Sequence, residues 1–268
     1  MNAVYLGDHR VLVAPVWGGW GGALVVPSFD LSSCNLIVSG VYEIPLTKYL
    51  IDNVKPGQIV LDVGANIGYF TALLGCLVGP CGRVVAYEPN PRVYPFLMEN
   101  LSLYNIKDRV TVLQKAAHAA AGRIKLYVAD RFLGNTSIHQ HDADYFSKFY
   151  DTVSEIEADA EPLDANLERF AQIDLVKLDI EGGEYHALLG MRELLAREAV
   201  GTIVMEINPL MLQQDLPALR ELLSDIQEKY NTVFYTLSQE GQPEETDLPP
   251  VFQGELVPSL VIKPGVHV

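Results

Sequence analysis

The chain has 268 residues, 49% hydrophobic and 20% charged, enough for one large domain with a substantial core and unlike a disordered polymer. Its 19 basic and 34 acidic side chains give a formal charge of −15 with no offsetting basic stripe, which argues against nucleic acid or an anionic membrane as partner. No apolar run is long enough to span a membrane, no signal peptide is visible, and Cys34, Cys76 and Cys81 are too scattered for a disulfide framework or zinc site. These features suit a cytoplasmic enzyme of small molecules.

In chain order, Arg10 to Val16 and Ala23 to Val26 read as short strands joined by a glycine-rich turn holding Trp17 and Trp20. A hairpin packed on the domain is the preferred reading of residues 1–39, and a lid over a substrate cleft is the alternative. From Val41 the pattern alternates. Gln58 to Val63 is predicted as a strand buried on both faces, Ile67 to Val78 as a helix, and Arg83 to Tyr87 as the next strand. Pro91 is expected to open a helix through Leu101. Val110 to Leu113, Leu175 to Leu178 and Thr202 to Ile207 supply further strands, with a helix over Glu184 to Leu195 and a helical leucine stripe from Leu216 to Ile226. Such alternation predicts an α/β, doubly wound, mostly parallel sheet.

Residues 117–173 interrupt the rhythm with strand-like runs at Arg123 to Ala129, Thr136 to His139 and Thr152 to Ala158, and read as an inserted β-element beside the active end of the sheet. Gln239 to Pro250 reads as a surface loop before a last strand near Leu256 to Ile262. The domain itself is assigned to residues 40–268.

Three motifs carry chemistry. Asp62-Val63-Gly64-Ala65-Asn66-Ile67-Gly68 sits at a strand-to-helix turn, where a doubly wound sheet binds its ligand. A nicotinamide fingerprint would place glycine where Asn66 stands, so this acidic variant suits a ligand without phosphate. Gly64 and Gly68 are expected to let that ligand approach the backbone. Glu88, ending the second strand, is placed to accept hydrogen bonds from two ribose hydroxyls, against the plainer reading of a surface acid. In Lys177-Leu178-Asp179-Ile180-Glu181-Gly182-Gly183-Glu184, alternation puts Lys177, Asp179 and Glu181 on one side. Lys177 reads as a buried structural cation paired with Asp62 or Glu181.

Together with Gly40-Val41-Tyr42-Glu43, Leu163-Asp164 and Glu206, these motifs resemble the FkbM-type methyltransferases over about residues 40 to 210. The resemblance implies a class I methyltransferase (Rossmann-like) fold, S-adenosylmethionine as donor, and O-methylation of a sugar, polyketide or other secondary metabolite. The cofactor-binding set is then Asp62, Gly64, Ala65, Asn66, Gly68, Glu88, Pro89, Ala117 and Asp179. An N-methyltransferase of a small molecule or peptide and a non-catalytic binding module are the alternatives.

Methyl transfer needs an aligned acceptor and a proton acceptor. Asp179 and Glu181, or His139 and His141 in the insertion, are the candidate bases. His118 is assigned a structural or cofactor-adjacent place. Trp20, Asn135, Thr136, His139 and Tyr145 are the candidate acceptor contacts. For a metal such as magnesium the candidates are Asp179, Glu206 and Asn208, although the metal-free reading is preferred. The sequence leaves the oligomeric state open, a homodimer included.

Overall fold

The computed structural model describes residues 2–19, 21–167, 169–253 and 256–265. The chain opens with a three-stranded antiparallel sheet: β1 (Asn2–Gly7), β2 (Arg10–Ala14) and β3 (Leu24–Pro27). The outer edge of β3 is capped by one side chain. Asn100 accepts from the Val25 amide at 2.6 Å and donates to the Val25 and Ile67 carbonyls at 2.9 and 2.7 Å, which explains a fully buried asparagine on a helix. Trp17 is buried against Tyr69 and Tyr104, in the core beneath this sheet. Trp20 lies outside the described residues.

The central strands follow as β4 (Ile59–Val63), β5 (Arg83–Tyr87) and β6 (Val110–Leu113). Then come β7 (Ala116–Ala117), β8 (Gly122–Ala129) and β9 (Val153–Glu161), and after them β10 (Ile173–Leu178) and β11 (Val200–Ile207). Last are β12 (Thr232–Leu237), β13 (Pro243–Thr246) and β14 (Val257–Pro264). The main sheet has eight strands in the order β13-β12-β14-β11-β10-β4-β5-β6. The five from β11 to β6 are parallel, while β14, β12 and β13 join antiparallel. This is the doubly wound α/β sheet, with its order reversing beside β4.

Apolar residues alternate between the two faces of these strands. Val60, Val84, Ala86, Leu175 and Val204 face the helices Ile44–Asn53, Tyr69–Leu77 and Tyr94–Ser102. Leu61, Val85, Val176, Leu178 and Ile203 face the helices Glu184–Leu189 and Leu216–Tyr230. Both faces are covered, which is why the strands carry almost no exposed polar positions.

Several local expectations change. The helix after β5 begins at Tyr94, with Pro95 rather than Pro91 in its first turn, because Asn90 caps a preceding turn by accepting from the Arg92 amide. The helix expected over Glu184 to Leu195 is two pieces, Glu184–Leu189 and Arg192–Ala196. They divide at Gly190, whose missing Cβ would lie 2.3 Å from the His118 carbonyl oxygen. The segment from Gln239 to Pro250 is not a plain loop: it holds β13 and the short helix Leu248–Val251. In the insertion, β8 and β9 pair along their length, β7 pairs with β9, and Ala143–Lys148 forms a helix. Thr136 to His139 makes only the single bridge Tyr127–Ser137.

Candidate functional site

The C-terminal ends of β4, β5 and β10 open into a cleft. Its floor is the turn Gly64-Ala65-Asn66-Ile67, with Glu88 and Pro89 on one side and Asp179 and Glu181 on the other. Ala116, Ala117 and Leu126 supply an apolar end, and residues 30–36 with 133–138 form the outer wall.

The two glycines serve the protein's own packing. Gly64 has φ 84°, and a Cβ there would lie 1.8 Å from the Asp179 carbonyl oxygen; at Gly68, with φ 90°, a Cβ would lie 2.7 Å from Leu97. Gly64 borders the cleft and Gly68 does not, so the turn is shaped by neighbouring backbone and helix. Asn66 also takes a left-handed φ of 48°.

Glu88 is almost fully buried and already engaged. Its two carboxylate oxygens accept from the Asn66 and Asn90 amides at 2.8 and 2.7 Å, so it links the turn after β4 to the loop after β5 while bordering the cleft. Burial outweighs those donors and pushes its carboxyl up to about 7.

Beneath the turn, Lys177 is buried with three oxygens around its ammonium. Nζ lies 3.3 Å from Asp179 Oδ2 and 3.5 Å from Asp62 Oδ1, and donates to the Gly64 carbonyl at 3.2 Å. Asp62 also accepts from the Thr71 hydroxyl at 2.5 Å, is wholly buried, and does not border the cleft. Lys177 therefore fixes the ends of β4 and β10 to each other, pairing with Asp179 where Glu181 was the alternative to Asp62. Carboxylates surround the ammonium and push Lys177 up despite burial.

Further out, acids gather. One carboxylate oxygen from each of Asp179, Glu181 and Glu206 lies within 4.8 Å of the other two. Asn208 donates Nδ2 to Glu181 at 3.2 Å, so Glu181 completes the trio where Asn208 was expected. Burial and mutual repulsion raise Glu181 and Glu206 well above the carboxylate range, and burial with Asp179 nearby raises Glu43. Glu43 and Glu181 both hold left-handed backbone, φ 42° and 51°, a strain that non-glycine residues keep where surrounding structure demands it. Glu43, at the head of helix Ile44–Asn53, and the cleft-lining Tyr42 belong to the Gly40-Val41-Tyr42-Glu43 motif but stand outside the expected site residues.

The expected acceptor contacts separate. Thr136 borders the cleft and accepts from Asn90 Nδ2 at 2.9 Å. His139 does not border it: Nε2 lies 3.0 Å from Asp215 Oδ2 and Nδ1 lies 2.9 Å from Gln214 Nε2, which draws the ring behind the Glu181–Gly182 turn. Tyr145 is buried under the ring of His141, with Asn135 donating to its hydroxyl at 3.3 Å, and the His141 ring itself contacts the Asn135 carbonyl at 2.9 Å. These three contact one another within the insertion and do not border the cleft. His118 stacks on His186, ring centroids 4.6 Å apart, one residue beyond the cleft-lining Ala117.

Residues 62–232 match the model of the methyltransferase FkbM domain, which covers well over half of the chain. The chain belongs to the FkbM methyltransferase family. It is 28% identical over 200 residues to the methyltransferase sdnD of Sordaria araneosa, covering 65% of this chain and 75% of that protein. It is 31% identical over 160 residues to the 31-O-demethyl-FK506 methyltransferase FkbM of Streptomyces tacrolimicus, covering 52% of this chain and 61% of that protein. Among solved structures it is similar to an S-adenosylmethionine-dependent O-methyltransferase from Thermotoga maritima, at 15% identity and a TM-score of 0.41, covering 84% and 66% of the two chains.

Membership of this family makes the protein an S-adenosylmethionine-dependent methyltransferase with a class I, Rossmann-like fold. The cleft fits that cofactor chemically. Its lining combines the carboxylates of Glu88 and Asp179 with the apolar Ala117 and Leu126, groups able to meet hydroxyls, a positive charge and an aromatic base. Of the expected cofactor contacts, Gly64, Ala65, Asn66, Glu88, Pro89, Ala117 and Asp179 border the cleft; Asp62 and Gly68 support it from behind.

Proposed function

We propose that this methyltransferase methylates a hydroxyl of a small molecule, a sugar, polyketide or other secondary metabolite, by in-line displacement. The observation that carries the reading is the convergence of Asp179, Glu181 and Glu206 at the ends of β10 and β11, beside the cleft that holds Glu88. The Streptomyces relative, by name a 31-O-demethyl-FK506 methyltransferase, supports oxygen as the acceptor atom.

S-adenosylmethionine, when bound, supplies a methyl already activated on a sulfonium. The chain has to hold the acceptor in line and take its proton. Asp179 and Glu181 face the cleft and are the proton acceptors in this reading, with Lys177 orienting Asp179 from behind. Alignment is worth several kcal/mol, in the range of about 7–11 at most. The preferred reading is metal-free. The same three carboxylates are also a fitting oxygen donor set for a divalent ion, which makes metal dependence the second reading.

The deciding experiment offers S-adenosylmethionine with panels of hydroxylated and amine acceptors, following S-adenosylhomocysteine release and methyl gain by mass spectrometry. Methyl gain on alcohols, undiminished by a chelator, is the expected result. Gain confined to amines overturns the oxygen assignment, and loss on chelation that magnesium restores overturns the metal-free one.

A further inference from the structure

Glu181 reaches the cleft from backbone that a glutamate rarely adopts. Its φ of 51° is followed by a φ of 102° at Gly182, where a Cβ would lie 2.3 Å from the Met211 carbonyl oxygen. The turn is thus pressed against the chain behind it. A non-glycine residue stays in the left-handed region only where its surroundings over-determine it. Two buried side chains supply that constraint, and neither borders the cleft.

The first is Glu184, 2% exposed in the opening turn of helix Glu184–Leu189. Its Oε1 accepts from the Ile180 amide at 2.9 Å and its Oε2 from the Gly182 amide at 3.0 Å, so one carboxylate brackets Glu181 from both sides. The second is Ser137 in the insertion, 1% exposed. Its amide donates to the Tyr127 carbonyl at 3.1 Å and its carbonyl accepts from the Tyr127 amide at 2.8 Å, which fixes its backbone on β8. The His139 amide donates to Ser137 Oγ at 3.1 Å. That leaves the hydroxyl hydrogen for the Glu181 carbonyl, 2.6 Å away.

These holds reach Glu181 from different parts of the chain. Glu184 belongs to the helix that follows the turn, whereas Ser137 stands on the insertion between Thr136 and Ile138, which line the cleft. Asn208, just beyond β11, donates to the Glu181 carboxylate at 3.2 Å. Carbonyl, flanking amides and carboxylate are each tied to a separate segment.

We propose that Ser137 and Glu184 are positioning residues for methyl transfer: by holding the strained turn they keep the Glu181 carboxylate in the cleft, and through Ser137 the insertion takes part in the reaction. The proposal rests on the reading of Glu181 as a proton acceptor. Without the Ser137 hydroxyl the Glu181 carbonyl loses its donor, and the turn can relax toward ordinary backbone and draw the carboxylate out of line. The cleft residues Gly64 to Asn66 and Glu88 keep their own contacts, so cofactor binding stays.

The test is a double-mutant cycle on turnover. Ser137→Ala, Glu181→Gln and the double variant are assayed at high pH, where the raised Glu181 carboxyl is ionised. Methyl transfer from S-adenosylmethionine to the best alcohol of the acceptor panel is followed, and S-adenosylhomocysteine binding is measured by calorimetry. Ser137→Ala is expected to lower kcat about tenfold, the worth of one hydrogen bond, with Kd for S-adenosylhomocysteine within about twofold of the parent's. In the Glu181→Gln background the same substitution should change kcat by less than about twofold, because the carboxylate it positions is gone. A parental kcat in Ser137→Ala, or an equal loss in both backgrounds, overturns the proposal. Glu184→Gln, which keeps an acceptor for one amide only, runs through the same cycle and decides alone should Ser137→Ala not fold. Parental turnover of Glu181→Gln at every pH overturns Glu181 as proton acceptor and the proposal with it, an outcome distinct from the other failures.

Discussion

Gly64 and Asp179 touch through backbone: a Cβ on Gly64 would sit 1.8 Å from the Asp179 carbonyl oxygen, and the Asp179 amide donates to the Val63 carbonyl at 3.1 Å. The turn after β4 and the acidic end of β10 are therefore one rigid unit. Gly64→Ala meets both this contact and a φ of 84°, and should cost about 2–4 kcal/mol. Urea denaturation checks it, as a lower midpoint at unchanged slope.

Lys177 gives the second prediction. Lys177→Met leaves Asp62 and Asp179 facing each other without a cation in a buried place, and should cost about 3–5 kcal/mol. Adding Asp62→Asn should recover part of that loss. A double variant as unstable as the sum of the singles would show that the pair does not interact.

How much of this could be read beforehand depended on sequence distance. The turn from Asp62 to Gly68 and Glu88 are local marks of a strand-to-helix ligand site, and β4–β10 register sets Lys177 opposite Asp62, so these pieces were legible. The outer wall was not. Leu31 and Arg131 meet through backbone, which carries no side-chain signature. His139 looked like a free base because its partner Asp215 lies far along the chain on the turn before helix Leu216–Tyr230. The glycines were read as making room for a ligand, yet their neighbours are the Asp179 carbonyl and Leu97, visible only once β10 and the helix Tyr94–Ser102 were placed. β12 and β13 escaped because β13 is an exposed edge strand and β12 beside it is mostly half-buried, so neither, with Thr232, Tyr235 and Glu244 among their residues, has the apolar run of β4.

Glu88 supports the third prediction. If Glu88 holds the cofactor ribose as proposed, Glu88→Ala removes that contact and frees the Asn66 and Asn90 amides, so cofactor affinity should fall by about 1.5–3 kcal/mol and stability should fall as well. Glu88→Gln keeps an acceptor for one amide and should lose affinity with less stability. Calorimetric titration beside thermal unfolding separates the two effects; a Glu88→Ala protein with parental affinity would leave Glu88 as a linker of loops only.

The acids set the pH response of the ligand-free protein. Burial holds Glu88 and Glu184 up to about 7, from an ordinary 4.5. The folded state then binds protons more tightly than the unfolded chain between those values. Stability falls as pH rises through that window, by up to about 1.4 kcal/mol per unit for each group. The melting temperature without ligand should be higher at pH 5.5 than at pH 8. A melting temperature that climbs across this interval would contradict the assignment.

The catalytic prediction turns on separating Asp179 from its neighbours. Its side chain is 22% exposed and borders the cleft, while Lys177 holds one of its oxygens, so the carboxylate is both oriented and reachable. Asp179→Asn keeps the shape and removes the proton acceptor, and turnover should drop by about 10²–10⁴-fold. Glu181→Gln loses a group that burial and Asp179 keep protonated well above the usual range, so it should weaken turnover mainly at high pH. His139→Ala should leave the chemical step within a few-fold, because its ring is turned to Asp215 behind the Glu181–Gly182 turn. The pH–rate profile distinguishes a base from a support, since losing the base removes the rising limb and losing a support only lowers the plateau. If Asp179→Asn retains parental turnover with its rising limb intact, the proton goes elsewhere, and Glu43, on the strained head of its helix, becomes the group to replace next.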